Sequence, residues 1–389
     1  MSKIIVIGAG MVGSAMALDL SKKHQVTLAD LSEPALAKTK AKNKDIQTLQ
    51  LDAKNKSLLT STLAPFEMVV CAVPGFMGFE TLRTIIEAGK NVIDISFFPE
   101  NVFELNELAK RKGVTAIVDC GVAPGMDNII LGYYNEKMKL TDFECLVGGL
   151  PKVKKWPFNY KAPFSPVDVI EEYTRPARYV ENSQVVIKPA MSDIEHIEMN
   201  GVGTLESFNS DGLRSIIHTM PHIPNMKEKT LRYPGHIEKV LALRDSGFLS
   251  KEPIKVNGVD VVPLDFTSKV LFSEWKLGET EEEITVMRVT VQGTENGIEK
   301  KIVYHLHDEY STATQTSSMA RTTGYTATAA VNMFLDGLFS EKGVFPPELV
   351  GKHEACFNYF ISYLKERGVH YKKEEILLKK AQKAAEKVG

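Results

Sequence analysis

Cysteine is scarce in this chain: Cys71, Cys120, Cys145 and Cys356 stand far apart in 389 residues. They form no CxxC pair, and no histidines gather at metal-ligand spacing, so reduced thiols and no metal are expected. An excess of one charge is missing too. The 47 Lys and Arg nearly balance the 49 Asp and Glu, leaving a formal net charge of -2. That balance argues against nucleic acid or an anionic membrane as the main partner and in favour of a small molecule. No apolar run reaches the length of a membrane span, and the opening residues lack the form of a signal peptide. The expectation is a cytoplasmic protein. At this length the chain exceeds one ordinary core, so two domains are expected.

What is present begins at once. Lys3 to Ile7 form an apolar strand that runs into Gly8, Ala9, Gly10, Met11, Val12 and Gly13, a GxGxxG turn. A helix over Ser14 to Ser21 and a second strand over Val26 to Ala29 follow, ending on Asp30. This strand, glycine turn, helix, strand and terminal acid make one βαβ unit, the context a dinucleotide motif requires. Gly8 permits the tight turn, Gly10 admits a pyrophosphate to the backbone, and Gly13 lets the helix pack close. The helix N-terminus favours the phosphates. Asp30 lies where a carboxylate accepts hydrogen bonds from the adenosine ribose, and no arginine follows it, so NAD is expected rather than NADP.

Further strands are expected over Ile46–Leu51, Met68–Val73, Asn91–Ile95 and Val114–Cys120, with helices over Thr81–Ala88 and Asn101–Lys112. The alternation predicts a doubly wound α/β domain over residues 1–125. Asp52, at the end of the third strand, either contacts the adenine or caps its loop. Val73, Pro74 and Gly75 leave the fourth strand beside the cofactor, since ligands collect at the carboxyl ends of such strands.

From Gly121 the pattern changes. A helix over Asp127–Met138 precedes strands at Phe143–Gly148, Gln184–Ile187, Lys255–Val262, Glu283–Val291 and Ile298–His307, the last two joined by an Asn-Gly hairpin signal. A mixed α+β domain over residues 126–317 is expected, for substrate binding and dimerisation. The alternation in Glu283–Val291 predicts one covered and one more polar face, suited to an interface or to solvent. Helices over Met319–Leu335, Glu354–Arg367 and Lys373–Lys387, within residues 318–389, are expected to pack back on the first domain.

Several residues are candidates for the chemistry. Arg232 offers a bidentate guanidinium for a substrate carboxylate, or an ion pair with Glu228. Arg214 and Arg321 are weaker versions of the same idea. His236 is a candidate acid or base, or a satisfied structural group. Asp94 and Asp119 approach strand ends on the nicotinamide side, where a carboxylate can take a proton from an amine, or can instead bond loop amides. Asp127 reads as a helix cap and Cys120 as strand packing.

Six ordered segments then carry a resemblance: GAGMVG, VDCGVAPGMDN (Val118–Asn128), VGGLP (Val147–Pro151), TLRYPGH (Thr230–His236), SMARTTGY (Ser318–Tyr325) and KGVFPPE (Lys342–Glu348). Together they resemble the saccharopine dehydrogenase-like family over nearly the whole chain, closest to its L-lysine 6-dehydrogenases and glutamate-forming saccharopine reductases. The resemblance implies hydride transfer to NAD from a carbon bearing nitrogen, hydrolysis of the imine, and a homodimer. Ala123 replaces the acid of fungal-type reductases, and their helical insertion is missing, both pointing to the lysine 6-dehydrogenase type. Arg214 points the other way. Saccharopine has three carboxylates and lysine one, so three arginines (Arg214, Arg232, Arg321) favour saccharopine and glutamate formation. Alternatives from other classes are a silent NAD-binding redox sensor and a hydroxy-acid or homoserine-type dehydrogenase.

Overall fold

The computed structural model describes residues 1–163, 166–278 and 280–380. Its first half alternates strand and helix: β1 (Lys3–Ile7), α1 (Met11–Leu20), β2 (Gln25–Asp30), α2 (Glu33–Lys42), β3 (Gln47–Gln50), α3 (Lys56–Leu63), β4 (Met68–Cys71), α4 (Gly75–Glu87), β5 (Asn91–Asp94), α5 (Asn106–Lys112) and β6 (Thr115–Ile117). All these strands are parallel, in the order β6-β5-β4-β1-β2-β3. The order reverses between β1 and β4, which opens a crevice at their carboxyl ends. β1 and β4 are apolar and almost wholly buried because helices cover both faces. α4 begins at Gly75, six residues before the expected Thr81, because Pro74 takes its N-cap position. Gly113 closes α5 in the left-handed conformation, φ 65°.

α6 (Met126–Asn135) and β7 (Lys139–Pro151) begin the second sheet. β7 is its centre, flanked by the parallel strand Asn225–Arg232 on one side and the antiparallel Glu283–Glu295 on the other. Glu283–Glu295 turns into Ile298–Glu309 through Asn296 and Gly297, both at positive φ, 50° and 76°, as the Asn-Gly signal requires. The polar face expected of Glu283–Val291 is absent. Met287, Val289 and Val291 join a core with α6, while Ile284 and Val286 join another with Leu150 and Leu231, so the chain itself covers both faces.

The end of the chain serves both sheets. The helix Ser318–Leu335 lies on α1, close enough that a Cβ at Gly324 would be 3.2 Å from Met16 Cγ. Gly343–Phe345 adds a seventh parallel strand beside β6. The helix expected over Lys373–Lys387 begins instead within a strand, Tyr371–Lys380, paired with Ile298–Glu309; residues 381–387 of that expected helix lie outside the described residues. Among the described residues no helix is long and apolar enough to cross a membrane.

One buried charge ties these layers. Asp19 in α1 accepts hydrogen bonds from Thr328 (2.7 Å), Tyr363 (2.8 Å) and Arg367 Nε (2.8 Å). Burial pushes its carboxyl up, but Arg367 and the two hydroxyls outweigh it and hold it below the usual range. Arg367→Ala should therefore cost ~3–5 kcal/mol in urea unfolding at pH 7, because it strands a buried charge. A folded pKa below the unfolded one gives stability that is complete above the unfolded value and lost on descending through the folded one. The wild-type advantage over Arg367→Ala should thus shrink below about pH 4.

Candidate active site

A cleft of about 1150 Å³ runs from the carboxyl edge of the parallel sheet to the second sheet. Its first half is the glycine turn. Gly8 sits at φ 108°, and a Cβ there would be 2.4 Å from the Ala72 carbonyl oxygen. A Cβ at Gly13 would be 1.9 Å from the Gly8 carbonyl oxygen, so turn and helix can close only without side chains. Gly10 differs: a Cβ there would meet nothing within 4 Å. That open space, before α1 whose N-cap has no side-chain bond, fits a pyrophosphate. Met11, Val12, Val73 and Pro74 line the same half; Gly75 does not, because it is drawn into α4. Asp30 accepts hydrogen bonds from Ala9 N (2.6 Å) and Ser32 N (2.7 Å) at the cleft wall. Asp52 lines the cleft as well, while its carboxylate bonds Lys54 N at 2.9 Å, the loop-cap geometry. Lys38 and Lys42 of α2 also line this half, cations that reading for arginine alone passes over.

The second half is floored by one strand. Period-two alternation along Asn225–Arg232 points Glu228, Thr230 and Arg232 to the same face, and all three line the cleft. Arg232 is 2% exposed and heavily held. Nη2 bonds Glu172 (2.7 Å) and Tyr160 OH (3.4 Å), Nε bonds Tyr173 OH (3.0 Å), and Nη1 bonds the carbonyl of Leu231 (2.9 Å). Burial opposes its charge, but the two tyrosines and Glu172 outweigh that and keep it a cation. Its ion-pair partner is Glu172, not the expected Glu228.

His236 stands behind this network. Nδ1 is 3.0 Å from the Phe158 carbonyl, which can only accept, so Nδ1 carries the proton and Nε2 accepts from Tyr173 OH at 2.9 Å. Tyr173 in turn accepts from Arg232. Burial, followed by the Arg232 charge, lowers the imidazole pKa to about 3. His236 is corrected from an acid-base candidate to a neutral support, since it does not reach the cleft.

Four other calls are corrected. Arg214 pairs with Asp119 (Nε to Oδ2, 2.9 Å) and donates to the Phe98 carbonyl at 2.6 Å, so it is spent within the wall. Asp119 does line the cleft, at φ 52°, but Arg214 engages its carboxylate, which leaves it poorly placed as a proton acceptor. Asp94 is fully buried off the cleft, bonded by Ser96 N and Ser96 OH at 3.0 Å each. Desolvation raises its pKa to about 7, which reflects burial without access to a substrate. Arg321 is paired twice with Asp308 (3.1 and 3.2 Å) and holds the helix Ser318–Leu335 to the second sheet.

Two further cleft residues are Arg175, which no sequence motif singles out, and Glu228, which the sequence offers only as an ion-pair partner for Arg232. Arg175 lines the cleft with Nη2 on Glu171 (3.2 Å), while its buried Nη1 has no partner. Glu228 also lines the cleft, with Oε2 buried and unpartnered. A buried unpaired donor and acceptor facing one cleft are what a bound polar ligand would satisfy. The nearby Asp211 is held by Arg178 through two bonds of 2.9 Å.

This geometry sets a test for His236. His236→Asn should leave the limbs of the kcat/KM profile against pH where they are, while KM for a carboxylate substrate rises roughly three- to tenfold through the loosened Tyr173 and Arg232. A limb that vanishes would return His236 to acid-base chemistry.

Comparison with known proteins agrees with the architecture. The family model for the saccharopine dehydrogenase NADP binding domain matches residues 4–117, and that for the saccharopine dehydrogenase C-terminal domain matches residues 121–369. The chain is 23% identical over 278 residues to the bovine mitochondrial alpha-aminoadipic semialdehyde synthase, covering 67% of this chain and 30% of that protein. The first relatives matched are thus much longer than the stretch they share. It is 23% identical over 374 residues to a carboxyaminopropylagmatine dehydrogenase of Synechocystis, covering 90% of this chain and 92% of that one. The apo L-Glu-forming saccharopine dehydrogenase of Saccharomyces cerevisiae superposes with a TM-score of 0.78 at 19% identity, over 97% of this chain and 100% of that chain.

Proposed function

We propose, for a chain that belongs to the saccharopine dehydrogenase family, that it is an NAD-dependent oxidoreductase acting on the carbon–nitrogen bond of a secondary amine with an amino-acid head. The observation that carries this reading is the pairing, in one cleft, of a dinucleotide cradle with two guanidiniums, Arg232 and Arg175, the second with an unpartnered buried N–H. A substrate carboxylate would take that donor and bring its amine among Glu172, Asp211 and Glu228. When bound, the nicotinamide would accept a hydride from the carbon beside nitrogen. The chain's own part is to orient that carbon, screen it from water and manage the amine proton.

With Arg214 and Arg321 spent on Asp119 and Asp308, the wall offers acids alongside few cations. This favours a substrate with one carboxylate and a second cationic group. The Synechocystis relative's name, which joins a carboxyl-bearing aminopropyl group to agmatine, describes such a molecule. Saccharopine is the second reading, supported by Arg175 beside Arg232. The bench test incubates NAD with saccharopine, lysine and carboxyaminopropylagmatine, follows NADH and identifies products. Turnover of the cationic secondary amine above saccharopine is expected. Ammonia from lysine alone would point to the lysine 6-dehydrogenase alternative, and no turnover at all to a silent sensor.

NAD is the preferred cofactor in this reading, because Asp30 repels a 2'-phosphate; Asp30→Ala should weaken NAD binding by ~1.5–3 kcal/mol. Equal kcat/KM with NADP, its phosphate taken by Lys38 or Lys42, would overturn the preference. Arg232→Ala should raise substrate KM by the equivalent of ~2–5 kcal/mol and leave NAD affinity nearly unchanged. The homodimer and the small amino-acid substrate belong to the same proposal.

A further inference from the structure

Beneath the floor of the cleft lies a cluster that the ion pairs of the wall leave out. Glu228 is buried with Oε2 unpartnered, and Asp127 of α6 is wholly buried with Oδ2 unpartnered. Asp127 does play its expected local part, since its Oδ1 accepts from Gly125 N at 2.9 Å. Its other oxygen has no such task. Single ligand atoms of Asp127, Cys145 and Glu228 all lie within 4.8 Å of one another. The backbone makes room for this: a Cβ at Gly212 would be 2.0 Å from the Glu228 carboxyl carbon, so only glycine lets the carboxyl lie there.

Two carboxyls this close and this dry cannot both be charged, because desolvation and mutual repulsion both disfavour the second anion. No cation bonds either unpartnered oxygen. We propose that Asp127 and Glu228 share one proton, and that Glu228 in its ionised form is the acceptor of the substrate's ammonium proton. The inference rests on the amine-dehydrogenase reading above. A substrate arrives as R2CH–NH2+–R'. Its ammonium beside Glu228 favours the charge on that residue, which places the shared proton on Asp127. The N–H bond then breaks, its electrons staying on nitrogen and its proton passing to the Glu228 carboxylate. With NAD+ bound as the oxidant, the carbon would give up its hydride while the nitrogen lone pair forms the C=N bond. Water then adds to that carbon, and the C–N bond breaks to give a carbonyl compound and an amine. The substrate would be oxidised by two electrons, which bound NAD+ would take up.

The surroundings agree in sign. Burial first, then Asp127, Asp211 and Glu172, push the Glu228 pKa well up, and Arg214 alone of the named groups pulls it down. Burial raises the Asp127 pKa to about 7, Glu348 adds to it, and the Gly125 and Asn128 backbone and Cys145 oppose it. Tyr371 approaches from the strand Tyr371–Lys380, and burial keeps both it and Cys145 protonated.

The test uses the full chain with NAD, in wild type, Glu228→Gln and Asp127→Asn. Glu228→Gln is near-isosteric and leaves Asp127 its bond from Gly125 N, so it should fold. Its kcat should fall by roughly 10²- to 10⁴-fold, with NAD affinity retained. Asp127 is a positioning residue. Asp127→Asn removes the neighbour that raises Glu228, so the acid limb of kcat/KM should move to lower pH by about one unit or more. Difference infrared spectra at pH 7, read without substrate, should show a protonated-carboxyl band of the wild type lost in Glu228→Gln. If the band is unchanged in both variants, there is no shared proton and the proposal falls. If turnover and its pH limb are unmoved in an active Glu228→Gln enzyme, Glu228 is not the acceptor. Activity lost to a chelator and restored by zinc would make the cluster a metal site and also overturn it. A wild type that loses the band on mutation but oxidises no amine refutes the dehydrogenase reading, and with it the acceptor role, while leaving the shared proton standing.

Discussion

Charge buried at the cleft wall must be paired, and that constraint decides what the cleft can do. Removing an ion from water costs several kcal/mol unless an opposite charge and hydrogen bonds replace the solvent. Asp119 with Arg214 and Arg232 with Glu172 meet that demand within the wall, while the buried Asp211 and the mostly buried Arg175 take the more exposed Arg178 and Glu171 as partners. The pairs fix the wall's shape. They also leave few groups for a ligand: the buried Nη1 of Arg175, the second N–H of Arg232 Nη1 beside its bond to the Leu231 carbonyl, and the carboxyl of Glu228. Arg232 is prevented from swinging by Tyr173, which is itself held by His236, so the chemistry-bearing strand meets a pre-set anchor.

The cofactor half obeys a different constraint, the closeness of backbones. Gly8 and Gly13 are fixed by contacts that a single carbon would break, and Gly10 by the space it leaves open. Because the helix Ser318–Leu335 and the strand Gly343–Phe345 return to this half, the Rossmann sheet is completed by residues far along the chain. Asp19 joins α1 to that return. The two halves of the cleft are therefore held in register by the fold's last third as well as by the crossing at Gly121.

The parallel sheet was legible because its signals are local: apolar runs, glycine turns, Gly113 at a helix end and Asn296-Gly297 at a hairpin. The charged assignments were less so. Arg214 and Arg321 have the right chemistry for a carboxylate, but Asp119 and Asp308 claim them, and a pairing across 95 residues leaves no trace in local sequence. Asp127 read as a helix cap, which accounts for one of its oxygens. Tyr371–Lys380 is rich in Lys, Glu and Leu, good helix formers, yet the exposed edge of Ile298–Glu309 draws it into a strand. Alternation in Asn225–Arg232 was present in the sequence, with Glu228, Thr230 and Arg232 two apart, and would have located the floor had it been read as a strand.

The central claim is that hydride leaves a carbon bonded to nitrogen. The secondary amine that supports the fastest NADH formation should be prepared with deuterium at that carbon, and the reduced cofactor isolated and its nicotinamide C4 examined by NMR. Deuterium at C4, with turnover slowed relative to the protiated substrate, is the result this account predicts. NADH formed with no deuterium at C4 would place the oxidation at another carbon and contradict it.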